Sequence, residues 1–204
     1  MAAANLAPLP QPGLPIFPGF TAQKPCTFLM KGQDLWSNKA SFLISHASPS
    51  GEAGAAFLEI REREKNQISF LTTGGGGDGD GREVMRIVKK CHSGWSKSKS
   101  GTEYHGLRGD GTEAWCLKLH SGWSGTDFAG HDIQVQNKIL GQEKGILMDG
   151  NPVATMSRHE AWSHMARHDL IHVAPGMDIL LALGVNWVRA DKQKRDTQAV
   201  VALA

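Results

Sequence analysis

From Cys26 onward the chain is a succession of short runs in which apolar and polar residues alternate. The runs span 26–31, 40–46, 55–62, 67–73, 83–91, 102–107, 113–120, 131–138, 144–148, 152–158 and 169–174. In the run 132–136, Ile133 and Val135 alternate with Asp132, Gln134 and Gln136. In the run 114–120, Trp115, Leu117 and Leu119 alternate with Cys116, Lys118 and His120. A period of two turns one face toward a core and the other toward water, the pattern of a half-buried strand. Its recurrence about every ten residues, with turn residues between, predicts an all-β sandwich or barrel. Asp110-Gly111 and Asp149-Gly150 are placed as hairpin turns. The stretch Gly74–Gly81 reads as a flexible loop. CHSGW at 91–95 recurs as LHSGW at 119–123. Two copies are too few for a solenoid, so the echo reads as one strand-end turn used twice, or as a Trp/His rim for a ligand.

One segment breaks the alternation. After Ala174-Pro175-Gly176, the residues Met177–Ala190 predict a helix, with Asp178 at its positive end and Arg189 and Lys192 toward its negative end. Ile179, Leu180, Leu181, Ala182, Leu183, Gly184, Val185, Trp187 and Val188 leave no polar face, which demands burial in protein or in a membrane. Such a helix is roughly 21 Å long, short for a bilayer and suited to a protein interior, where Asn186 could bond to a strand residue.

The stretch Asp169-Leu170-Ile171-His172-Val173-Ala174-Pro175-Gly176-Met177-Asp178, running into Ile179–Val188, resembles the C-terminal signature of LURP-one-related proteins. There a last strand leads through Val-Ala-Pro-Gly-x-Asp into an apolar helix. That family is similar to the tubby C-terminal domain and to phospholipid scramblases. The resemblance implies a closed antiparallel barrel of about twelve strands around a central hydrophobic C-terminal helix, spanning 26–204, with 1–25 as a Pro-rich arm. Eight strands already fill a barrel with side chains, so twelve need such a plug. The chain departs from the family pattern in the Pro-rich start, in Gly74–Gly81 and in an insertion-like segment at His159–His168.

Composition adds limits. With 204 residues, 40% hydrophobic and 21% charged, the chain is an ordinary globular protein, and a net charge of +2 does not point to nucleic acid. Cys26, Cys91 and Cys116 form no disulfide framework and read as reduced, buried thiols of a cytoplasmic protein. The N-terminus lacks the features of a signal peptide, and its five prolines from Pro8 to Pro18 predict an extended arm on the domain surface.

No cofactor and no catalytic site emerge. His159-Glu160-Ala161-Trp162-Ser163-His164 is one residue too long for a zincin helix, and His164 and His168 lack a third ligand. An enzyme built on His159, His164 and His168 is therefore the weakest alternative. Arg86, Lys89 and Lys90 end one strand, and Lys97 and Lys99 follow it. They form either a solvated basic face or a site for anionic head groups. The resemblance favours the second, because tubby-type domains bind phosphoinositides. The expected function is thus a non-enzymatic binding or adaptor domain for anionic phospholipids or a protein partner, cytoplasmic or peripheral to a membrane. A scramblase-like protein with its helix in the bilayer is the alternative.

Overall fold

The computed structural model describes residues 6–32, 42–48, 51–73, 81–92, 101–119, 123–125, 131–140, 143–158 and 168–201. Among the described residues twelve strands precede one helix: β1 (Cys26–Gly32), β2 (Phe42–Ala47), β3 (Ala53–Glu64), β4 (Gln67–Thr72), β5 (Glu83–His92) and β6 (Gly101–Arg108). They continue as β7 (Glu113–Leu119), β8 (Trp123–Gly125), β9 (Ile133–Leu140), β10 (Glu143–Met148), β11 (Asn151–Arg158), β12 (His168–Val173) and α1 (Ile179–Val201). Alternation thus located every strand except β8, which is too short to show a period. The loop reading of Gly74–Gly81 falls on residues 74–80, outside the described residues.

All twelve strands belong to one antiparallel sheet in the order β8-β7-β6-β5-β4-β3-β2-β1-β12-β11-β10-β9. The chain meanders, and the single non-sequential junction pairs β1 with β12, as in Phe28 opposite Ile171. The terminal strands β8 and β9 lie against each other, but no ladder joins them among the described residues. Both predicted turns form. Asp149 and Gly150 have φ of 50° and 80°, the paired left-handed conformation that matches strand twist.

The sheet curls around α1. Gly184 faces Trp115, Met85 and Ile87, while Asn186 Nδ2 donates to Asp169 Oδ2 (3.1 Å) on β12. The Arg189 guanidinium donates to the Met156 carbonyl on β11 (3.2 Å). Every residue from Leu180 to Ala190 is buried. Their partners are the inward residues of the strands, among them Phe28, Ile44, Leu58, Ile60, Phe70 and Ile171. Each such apolar side chain contributes about 1.5–3 kcal/mol when removed from water.

The helix differs from its predicted bounds of 177–190. It starts at Ile179 because Asp178 is its cap, with Oδ1 accepting the Leu181 N–H at 2.9 Å. It continues to Val201, beyond the apolar stretch that marked it in the sequence, because the polar residues after Ala190 are compatible with helical geometry.

The N-terminal arm also differs from expectation. It lies only partly on the surface: Leu14, Ile16, Phe17 and Ala22 are buried, while Pro8, Pro10, Pro12, Pro15 and Pro18 are exposed. Prolines remove some of its own ladder donors, and three of the remaining amides bond to the loop before the helix. Leu9 N–H donates to Pro175 O, Leu14 N–H to Gly176 O and Ala22 N–H to Met177 O. Gly176 N–H returns a bond to Ala22 O. The two segments approach so closely that a side chain at Gly13 would meet the Gly176 carbonyl at 2.4 Å. The arm therefore plugs one end of the sheet, the arm end. The helix leaves at the other, the exit end.

Candidate functional site

Strand alternation decides where the predicted basic residues go. Lys89 and Lys90 are neighbours on β5, so they project to opposite faces. Lys89 turns inward, its Nζ 2.8 Å from Asp191 Oδ2 on α1. The same oxygen accepts the Tyr104 hydroxyl at 2.6 Å. Tyr104 is fully buried and stands edge-on to Trp187. Lys89 is thus a tie between sheet and helix.

Arg86 lies on the outer face, where its guanidinium donates to Glu83 Oε1 at 2.7 Å. Ser69 Oγ donates to the other oxygen of Glu83. Lys90 is exposed, opposite Glu103. The five predicted residues do not share one face: of the three that are described, one is internal and one is held by a carboxylate. Lys97, Lys99, His159 and His164 lie outside the described residues. His168 opens β12 opposite Lys31.

A wider set of cations does share one end. Following the register, the exit end carries Lys31 (β1), Arg63 (β3), Lys65 (β3–β4 turn), Lys90 (β5), Lys118 (β7), Lys144 (β10) and Lys192 (α1). Lys31, Arg63, Lys65, Lys90 and Lys118 are exposed. Glu62, Glu64 and Glu103 interleave with them, and Lys118 Nζ reaches Glu103 Oε1 at 3.1 Å. The arm end is the reverse. Glu52, Glu83, Asp110, Glu113, Asp132 and Asp149 gather there around Lys24, Arg82 and Arg108. Sequence alone hid this polarity, because the lysines come from six separate elements.

A second constellation sits on the outer face of β6 and β7. A hairpin folded about Asp110-Gly111 sets His105 opposite Cys116 and Glu103 opposite Lys118. His105 Nδ1 is 2.8 Å from Glu113 Oε2, and its Nε2 is 3.5 Å from Glu103 Oε2. One ligand atom from each of Glu103, His105 and Cys116 lies within 4.8 Å of the others. His105 and Cys116 are both buried. Burial, then the charges of Glu113 and Glu103, push the Cys116 thiol pKa up. The signal for this group was legible: positions equally distant from a predicted Asp-Gly turn face one another.

The thiol expectation holds only in part. No disulfide joins the three cysteines, but Cys91 is exposed and Cys26 partly exposed, because both lie near strand ends.

Comparisons of the chain with protein-family models, with curated proteins and with solved structures return no match.

Proposed function

We propose that the chain is a non-enzymatic, tubby-like binding module that holds anionic phospholipid head groups at its exit end. The observation that carries this reading is the charge polarity of the sheet. Exposed lysines of the exit end converge around the departing helix, while carboxylates gather at the arm end. Lysines near an anionic surface contribute about 1 kcal/mol each, so several acting together give reversible binding and a preferred orientation. In this reading β8 and β9 complete a closed twelve-stranded barrel with α1 as its plug, as the LURP-one-like stretch 169–188 implies. Closure removes the two edge strands that would otherwise be open to aggregation.

The helix is not the membrane-binding element in this reading. Its apolar residues face the sheet, and among the described residues no helix is long and apolar enough to cross a membrane. The test is co-sedimentation with vesicles of phosphatidylcholine alone or with added phosphatidylserine and phosphoinositide. The full chain is expected to sediment only with the anionic vesicles, less so at high salt. The triple variant K31E/K65E/K90E is expected to stay in solution, and K24E/R82E at the arm end to behave as wild type. Equal sedimentation of the two variants removes the lipid reading and leaves a protein-only adaptor.

A further inference from the structure

We propose that Glu103, His105 and Cys116 form a three-ligand site for a thiophilic divalent cation of the zinc type on the outer face of β6 and β7. The ligand types are those such an ion prefers: one thiolate, one imidazole, one carboxylate. The geometry supplies the supporting parts as well. Glu113 Oε2 holds His105 Nδ1 at 2.8 Å, the carboxylate–histidine arrangement that orients an imidazole and leaves Nε2 to coordinate. That Nε2 is buried and has no hydrogen-bond partner, and it is aimed at Glu103 Oε2, 3.5 Å away. Lys118 occupies the other oxygen of Glu103.

Distances agree with this assignment. A tetrahedral zinc ion separates a bound nitrogen and sulfur by about 3.5 Å. The three ligand atoms, within 4.8 Å of one another, need to close by roughly an ångström, which side-chain rotation on a fixed hairpin supplies. On binding, the Cys116 thiol releases its proton to solvent and the sulfur donates a lone pair to the ion. The fourth position is left to water or to a donor from a partner.

The experiment uses the full, tag-free chain titrated with Co²⁺ and, separately, Zn²⁺. One equivalent of Co²⁺ is expected to give a thiolate-to-cobalt charge-transfer band in the near ultraviolet, which Zn²⁺ then bleaches. C116S, nearly the same volume, should lose the band while keeping the circular dichroism of the wild type. E113Q should keep the band with affinity reduced about 10–100-fold, as expected for a group that positions the imidazole. C26S and C91S should keep both band and affinity. A full chain that gives no charge-transfer band overturns the proposal, and so does a band that survives in C116S.

Discussion

The two ends of the sheet solve opposite problems. At the arm end the first turn of α1 is sealed from water. Phe17 N–H donates to Asp178 Oδ2 at 2.7 Å, the arm amides satisfy the loop carbonyls, and Leu14 and Phe17 cover the helix start. At the exit end α1 leaves its fully buried stretch through Asp191, which ties Lys89 and Tyr104, and Asp191, Lys192 and Gln193 are only half-buried. One end is held by buried apolar contacts and backbone bonds, the other by a semi-exposed ionic tie. Stability should therefore concentrate toward the arm end, which frees the exit end to present charge.

The sharpest break of this contrast is a pair of charges on the same helix. Leu181→Asp puts an unpaired carboxylate among fully buried apolar residues, and no soluble folded protein is expected. Lys192→Glu, just beyond the buried stretch, should stay folded within about 1 kcal/mol of wild type by urea denaturation. Next in size is Phe17→Ala, which empties a buried site in the arm. A loss of about 3–5 kcal/mol is expected, against about 0.5 kcal/mol or less for Lys31→Ala at the exposed exit end.

A pH series separates the ends further. Burial raises the Asp178 carboxyl from 3.8 to about 7, with the amides of Phe17, Leu181, Leu180 and Ile16 opposing the shift. A folded pKa above the unfolded one means that the native state binds more protons between the two values. The stabilisation is therefore complete below about pH 4 and is lost as pH rises through about 7. Across that window wild type should lose roughly 2–4 kcal/mol relative to Asp178→Asn. Parallel denaturation curves for the two proteins against pH would refute this. Smaller again is Lys89→Met, which removes the exit-end tie but leaves Tyr104 bonded to Asp191. A cost of about 1–2 kcal/mol is expected, with an unchanged denaturant slope.

Local periodicity made most of this fold legible. Ile133 and Val135 advertise an inward face, and Leu180 to Val188 advertise a helix with no outward one. Asp178 was legible as an acid at the positive end of the helix, but its role as the cap, with Oδ1 on the third helical amide, shows only in the structure. The arm was only partly placed, for a physical reason. Its prolines announce extended backbone, but burial of Leu14 and Phe17 depends on a partner loop some 160 residues away. The basic residues were grouped by adjacency in sequence, yet a strand sends neighbours such as Lys89 and Lys90 to opposite faces, and Lys89 turns inward to Asp191. The Glu103–His105–Cys116 group depends on cross-strand register, which the Asp110-Gly111 turn encodes but composition does not. The exit-end lysines need the whole sheet order before they converge.

The central claim is that the exit end is the membrane-facing end, and site-specific fluorescence tests it most directly. Cys91 is exposed near the exit end of β5, so in a C26S background it accepts an environment-sensitive dye there. A second protein, C26S/C91S/D110C, carries the same dye at the arm end. Anionic vesicles are expected to shift and brighten the emission of the Cys91 dye and to leave the residue-110 dye as it is in buffer. Equal responses from both positions, or a response only at residue 110, would contradict the account.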